Sequence, residues 1–175
     1  MTRWALLLST LCLSGMAQAE PAKLTPKWEY VADTVMGGVS SGQASHETVL
    51  GRDAIRLTGT VSLDNNGGFI QIAFDLANGA PFDASAFSGI EVDVTGNGQT
   101  YDLRLRTSQL TRPWQSFRAS FVAPADWTTV RFPFDTFEAH RTDAAFDPAQ
   151  LRRVGVLAIG REITADVSIS GVRFY

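Results

Sequence analysis

Apolar and polar residues alternate in short runs along most of this chain, and this alternation indicates its fold class. Residues 54–61 and 69–75 place apolar side chains at every second position, which is the period of a half-buried β-strand. Comparable runs follow over residues 89–95, 100–107, 114–122, 128–134, 153–159 and 165–174. The pattern predicts an all-β, jelly-roll β-sandwich of eight to ten strands, with a closed barrel as the competing architecture.

Helical signals are scarce between these runs. The best candidate is a single turn in which Asp147 is the N-cap and Pro148 occupies the first helical position. We therefore expect one or two short helical turns. The proline in residues 132–134 predicts an edge strand or a bulge there, because proline donates no hydrogen bond to a neighbouring strand.

The first nineteen residues have the features of a secretory signal peptide. Arg3 precedes an apolar run over residues 4–16, and residues 17–19 form an A-x-A cleavage site. The run is shorter than a membrane-spanning helix, which needs roughly 20 residues. The residue before Cys12 is a leucine rather than the small residue that lipidation needs. We predict a single domain over residues 20–175 in a periplasmic or secreted protein, with no stable membrane insertion after cleavage.

Charge and cysteine content exclude several functional classes. The chain has 15 Lys and Arg against 18 Asp and Glu, a net charge of −3, so the chain as a whole has no electrostatic reason to bind nucleic acid. The single cysteine, Cys12, lies in the predicted signal peptide, which leaves no thiol for disulfides or metal binding. We predict no cofactor and no metal, although Asp64, Asn65 and Asn66 could supply some oxygen ligands to calcium.

Three consecutive strands divide into an apolar face and a charged face. If they were neighbours, Glu91 and Asp93 of the first would lie opposite arginines of the second. The functional interpretation of Arg104, Arg106 and Arg118 is a polar platform whose guanidinium groups hold a carboxylate, sugar hydroxyls or an acidic partner. The structural interpretation is a solvated sheet face.

Two glycine-rich segments, residues 33–40 and residues 65–69, are predicted to be shaped loops. Paired glycines allow positive φ and a close approach of the backbone to itself or to a ligand. Both segments are candidate binding loops. The alternative is a pair of structural corners in which Met36 and Phe69 fill the core.

Evidence for catalysis is weak. His46 and His140 lie far apart in the sequence and form no His-x-x-x-His motif. Glu91 and Asp93 could suggest a pair of catalytic carboxylates, but residues two apart on a strand merely share a face. We predict that the protein is not an enzyme. Trp114, beside Arg112 and a proline, is the tryptophan best placed to stack on a sugar ring if it is exposed.

The order of these motifs resembles the complex I intermediate-associated protein 30 family. The resemblance is carried by Trp28, by residues 33–40, 59–62, 65–69, 96–98 and 101–106, by Trp127, and by residues 132–137 and 154–156. It implies a galactose-binding-like jelly roll and a non-catalytic role, since mitochondrial relatives act as assembly factors for respiratory NADH:ubiquinone oxidoreductase. The residues that carry the family pattern are Asp33, Met36, Gly37, Gly38, Asn66, Gly67, Gly68, Phe69, Tyr101, Arg104 and Arg106.

These residues and Trp114 are the predicted partner-binding or ligand-binding residues. The mitochondrial role is exercised on the matrix side, whereas this chain has an export signal, so the specific partner does not transfer. We predict an exported binding or assembly module, similar to the family's assembly factors, that binds a protein partner in the cell envelope. The alternative is a periplasmic carbohydrate-binding module whose partner is a glycan.

Overall fold

The computed structural model describes residues 20–175, so the predicted signal peptide lies outside the described residues. In this part of the chain, twelve strands form two antiparallel sheets of six strands each. Apolar side chains from both sheets share one core. The predicted all-β sandwich is therefore confirmed. Within residues 20–175, no helix has the length and the apolar character needed to cross a membrane.

The first sheet, sheet I, contains β1 (Ala22–Lys23), β3 (Ser41–Val49), β4 (Arg52–Val61), β6 (Gly89–Gly96), β9 (Thr128–Pro133) and β12 (Ile163–Phe174). Its order is β3-β4-β12-β6-β9, and β1 pairs with the end of β12. Strand β9 lies at one edge and ends at Pro133, as the proline predicts.

The second sheet, sheet II, contains β2 (Glu29–Ala32), β5 (Phe69–Asp75), β7 (Thr100–Thr107), β8 (Ser116–Val122), β10 (Glu138–His140) and β11 (Leu151–Ile159). Its order is β10-β8-β7-β11-β5-β2. The eight runs predicted from alternation are all strands. The sequence pattern missed β1, β2, β3 and β10.

Helical structure in residues 20–175 consists of five 3-10 turns, more than the one or two expected. They are Asp33–Met36, Asp64–Asn66, Ala77–Gly79, Phe134–Thr136 and Pro148–Gln150. The last is the predicted turn, and the Asp147 carboxylate accepts a hydrogen bond from the Ala149 N–H at 3.0 Å.

The core faces of the strands agree with the alternation. Ile90, Val92 and Leu103 have no exposed surface. However, β6 belongs to sheet I and β7 to sheet II, so Glu91 and Asp93 do not lie opposite the arginines of β7. Both acids pair with an arginine of β12 instead; the partner is Arg173.

Candidate functional site

Asp33 joins the two glycine-rich loops. Its Oδ1 accepts a hydrogen bond from the Ser40 N–H at 3.0 Å, and its Oδ2 accepts one from the Ser40 hydroxyl. The N–H groups of Gly68 and Phe69 donate to the same Oδ2 at 2.5 and 3.2 Å. The side chain is fully buried. Burial raises the pKa of Asp33, but the hydrogen bonds from Ser40, Gly68 and Phe69 outweigh it and hold the pKa below its ordinary value.

The glycines around this carboxylate leave room for it. A Cβ on Gly38 would lie 2.4 Å from Asp33 Cγ, and a Cβ on Gly67 would lie 2.6 Å from Asp33 Oδ2. We call Asp33, Gly38, Ser40, Gly67 and Gly68 the Asp33 clamp. The Asp33 carboxylate holds the two loops together, because it accepts hydrogen bonds from backbone N–H groups of both.

Apolar side chains are exposed beside the Asp33 clamp. Met36 is 58% exposed and Val35 is 71% exposed, so Met36 does not fill the core. Phe69 is half-buried, while Gly37 and Asn66 adopt positive φ and are exposed. Two further apolar side chains are exposed nearby: Val39 in the first loop and Leu63, two residues before the second.

Tyr101 lies in the core and is only 1% exposed. Its hydroxyl accepts a hydrogen bond from the Asp166 N–H at 2.9 Å and donates one to Asn97 Oδ1 at 2.7 Å. Burial raises the pKa of this phenol. From this position the ring offers no surface on which a sugar could stack.

The polar platform predicted for the arginines is the outer face of sheet II. Arg104 of β7 lies directly opposite Arg118 of β8, and Asp102 lies opposite Ser120. Gly155 of β11 is the neighbour of Arg104 on its other side. The structure thus brings the three predicted arginines together on two adjacent strands, β7 and β8.

Arg104 is held firmly on this face. Its side chain is 11% exposed, and its Nη2 donates to Asp102 Oδ2 at 3.2 Å. Asp102 Oδ1 also accepts a hydrogen bond from the Ser120 hydroxyl at 2.8 Å. The buried Nε of Arg104 has no hydrogen-bond partner in residues 20–175. Burial lowers the pKa of Arg104, which the negative charge of Asp102 opposes.

Arg106 organises the loop that follows β7. It donates hydrogen bonds to the carbonyl oxygens of Gln115 at 3.2 Å and Arg112 at 2.9 Å. Trp114 lies in this loop, is 44% exposed, and has the Arg112 guanidinium 5.7 Å from its ring centre. Arg106 therefore supports the loop that presents Trp114, as a positioning residue.

Arg118 is paired with both neighbouring strands through its backbone, but its guanidinium forms no hydrogen bond or ion pair with any residue between positions 20 and 175. His140 lies beside it on β10, opposite the buried Ser116. Burial lowers the pKa of His140, and the positive charges of Arg104, Arg118 and Arg141 lower it further. Sequence reasoning missed His140 and Arg141 as part of this face because the pairing of β10 with β8 is not visible in local pattern.

A groove of about 490 Å³ lies between β8 of sheet II and β9 of sheet I and adjoins the outer face of sheet II at Arg118. It is lined by Arg118, Ala119, Ser120, residues 130–133, Thr136 and Glu138. A second groove, of about 530 Å³, lies by sheet I between the N-terminal segment and β12 and includes Trp28, His46 and Asp53. The first groove shares Arg118 and Ser120 with the arginine face, whereas the second contains none of the predicted site residues.

The Asp33 clamp and the arginine face are separate. The clamp follows β2 at one edge of sheet II, while Arg118 lies on β8 near the other edge. The two histidines are also apart, with His46 in sheet I and His140 in sheet II. Within the described residues, no three His, Cys, Asp or Glu side chains are grouped as metal ligands.

The sequence model of the complex I intermediate-associated protein 30 family matches residues 17–168. The chain belongs to this family. No curated protein matches it at a significant level of sequence similarity. Solved structures similar to this family member share its β-sandwich fold, which agrees with the predicted jelly-roll β-sandwich.

One similar structure is a family 11 carbohydrate-binding module from Clostridium thermocellum, in complex with a β-1,3-1,4-mixed-linked tetrasaccharide. Identity is 12%, the match covers 88% of this chain and 94% of that chain, and the TM-score is 0.71. A family 30 carbohydrate-binding module is 14% identical over 91% of this chain and 89% of that chain, with a TM-score of 0.66. An exo-β-agarase matches 88% of this chain with 24% of its own, at 10% identity and a TM-score of 0.57.

Proposed function

We propose that this member of the complex I intermediate-associated protein 30 family is a non-catalytic module that binds a glycan on the outer face of sheet II. The observation that carries the proposal is the unpaired guanidinium of Arg118, which lies beside Arg104 and lines the groove of about 490 Å³. A planar group with free donors at the rim of a groove suits adjacent sugar oxygens.

Neighbouring side chains supply the other hydrogen-bonding groups and the aromatic surface that a sugar site needs. Ser120 and Asp102 lie in the next row of the face, and the exposed ring of Trp114 lies beyond Arg106. Aromatic surface with nearby hydrogen-bonding groups is the usual composition of such a site. The similarity of fold to modules that are named for carbohydrate binding supports this choice of ligand.

The proposal includes export. Residues 1–19 are the proposed signal peptide, and the mature protein would begin at Glu20 and act in the periplasm or outside the cell. Mass spectrometry of the protein recovered from a periplasmic fraction tests this part. A mass that includes residues 1–19 would contradict it.

Binding is tested with a glycan array, followed by titration calorimetry on the glycans that bind. Arg118→Gln removes the free guanidinium and should weaken binding by about tenfold, the loss expected for one charge-assisted hydrogen bond. Arg52→Gln is the matched control because Arg52 is an exposed arginine of sheet I, stacked on Trp127. An array without any bound glycan would overturn the proposal.

A second candidate function is the binding of a protein partner in the envelope. It is favoured by the exposed apolar side chains of Val35, Met36, Val39 and Leu63 next to the Asp33 clamp. The double variant Val35→Ser/Met36→Ser should lose a partner that co-purifies from the periplasm, whereas Arg118→Gln should retain it. The distance between the two surfaces in the sheet makes the two functions separable.

A further inference from the structure

The two outer faces of the sandwich differ in how their charges are balanced. On sheet I, three arginines form ion pairs: Arg173 with Glu91 and Asp93, Arg131 with Glu91, and Arg56 with Asp166 and Glu47. The fourth, Arg52, is exposed and lies over the ring of Trp127. On sheet II, Arg153 pairs with Asp75 and Glu29, and Arg104 pairs with Asp102. Arg118, Arg141 and Arg106 form no ion pair with any residue between positions 20 and 175.

The register places two like charges together. Arg104 and Arg118 are directly opposite on adjacent strands, an arrangement that destabilises a sheet unless an anion lies between them. The neighbour of Arg118 on its other side is Glu138, yet no ion pair joins the two in the described part of the chain. Glu138 is thus the register neighbour that could balance the charge of Arg118, and Arg141 is a further cation without an ion pair in the described residues.

Buried polar atoms lie without partners at the same place. The Nε of Arg104 and the Oγ of Ser116 are both buried and form no hydrogen bond within residues 20–175. Ser116 is 3% exposed and is the neighbour of His140. Polar groups of this kind carry a cost in free energy. The two unpaired atoms lie in sheet II, whose outer face also carries Arg106 and Arg118.

We propose that the glycan bound by this face is acidic, with a carboxylate or sulfate group of the sugar lying between Arg104 and Arg118. The inference rests on the proposed function and specifies its ligand class. An oxyanion accepts paired N–H donors from guanidinium groups and relieves the repulsion between them. The chain as a whole has a net charge of −3, so attraction to an acidic glycan depends on this local group of arginines rather than on the overall charge.

The test compares polygalacturonate with its fully methyl-esterified form, with chondroitin sulfate and unsulfated chondroitin, and with neutral mixed-linkage β-glucan, by titration calorimetry on the mature protein. We expect the acidic glycans to bind at least tenfold more tightly than the ester and the neutral glucan. Chondroitin sulfate and unsulfated chondroitin carry the same uronate carboxylate, so a preference between these two glycans distinguishes sulfate from carboxylate recognition. Raising the salt concentration should weaken binding, since the attraction is electrostatic.

Three variants link the affinity to this site. Arg118→Gln should lower affinity for the acidic glycan by about tenfold, whereas Glu138→Gln should raise it because a competing negative charge is removed. Arg52→Gln should leave it unchanged. A purely structural role for Arg118 would not produce opposite effects at Arg118 and Glu138.

The outcomes separate this inference from the proposed function. Equal affinity for polygalacturonate and its methyl ester, or tighter binding of the neutral glucan, would overturn the acidic ligand class and leave glycan binding in place. The absence of binding to any glycan would overturn both. Capture of an acidic protein in place of every glycan would likewise contradict both.

Discussion

The hydroxyl of Tyr101 accepts a hydrogen bond from the backbone N–H of Asp166, and this contact joins β7 of sheet II to β12 of sheet I. The same hydroxyl donates to the side chain of Asn97. A residue that family resemblance places among the binding residues thus connects the two layers of the sandwich. We therefore expect Tyr101 to contribute to the stability of the fold rather than to ligand binding.

Tyr101→Phe should lower the free energy of unfolding by about 1–2 kcal/mol, because two hydrogen bonds are lost and the half-buried N–H of Asp166 is left without its partner. Urea denaturation measures this loss. Tyr30→Phe is the control, since the buried Tyr30 hydroxyl has no hydrogen-bond partner in residues 20–175 and its removal should be neutral or stabilising. Glycan affinity should not change in either variant. A Tyr101→Phe protein of unchanged stability would contradict this role.

Asp33→Asn should lower the free energy of unfolding by about 2–4 kcal/mol. The amide has one acceptor oxygen in place of two and presents an NH₂ group to the N–H donors of Gly68 and Phe69. Asp64→Asn, at an exposed position of the neighbouring turn, is the control and should change stability little. A loss below about 0.5 kcal/mol, the range of surface substitutions, would show that the Asp33 clamp does not depend on a carboxylate.

The Asp33 clamp should also weaken in acid. The pKa of Asp33 is lower in the folded protein than its ordinary value of 3.8, so its contribution is complete above pH 3.8 and is lost as the pH falls through the folded pKa. Between pH 5 and pH 2, the melting temperature of the wild type should therefore fall more steeply than that of Asp33→Asn. Parallel curves for the two proteins would refute the assignment.

Gly67→Ala should destabilise the fold through a steric clash alone. The new Cβ would lie 2.6 Å from Asp33 Oδ2, while the φ of −74° at Gly67 is acceptable for alanine. Gly155→Ala provides a graded comparison, since its nearest neighbour would be Leu157 Cδ1 at 3.3 Å. We expect a clearly larger loss of stability for Gly67→Ala, measured by the same denaturation. Equal losses of stability in the two variants would mean that the Asp33 carboxylate moves away from the new Cβ without cost.

Affinity for an acidic glycan should increase as the pH falls from 7 to 5. Burial and the charges of Arg104, Arg118 and Arg141 lower the pKa of His140, so this side chain is neutral at pH 7 in the free protein. A bound anion offsets those charges and raises the pKa of His140, and by linkage protonation of His140 strengthens binding. Asp102 is the acid that opposes these cations.

Calorimetry in two buffers of different ionisation enthalpy measures the proton uptake that accompanies this binding. His140→Gln should abolish both the uptake and the dependence on pH over this range. Should the variant retain the full dependence, another group would have to be responsible.

Local sequence pattern predicts the strands that present one apolar face to the core. It misses β3, because its side chains are mostly polar and exposed on both faces and the strand lacks alternation. It also misses β1, β2 and β10, which have two, four and three residues. Strands this short acquire their conformation from a neighbouring strand, which local periodicity does not report.

The candidate site was partly accessible from sequence. Alternation assigns Arg104, Arg106 and Arg118 to a polar face, and the structure places them there. The glycine pairs were visible as special loops, but their common partner was not, because Asp33 lies 35 residues from Gly68 in the sequence. Likewise, the proximity of His140 to Arg118 depends on strand order, which is a property of the whole fold.

One margin of sheet I is formed by β3, whose side chains from Ser41 to Val49 are mostly hydrophilic and whose only strand partner in the described residues is β4. A strand of another chain that paired with β3 would have to displace water from the polar side chains on both faces of β3. Hydration of β3 therefore opposes the addition of a further strand, and with it fibril growth, at this margin. Residues 20–175 contain no cysteine, so no disulfide within them contributes to this protection.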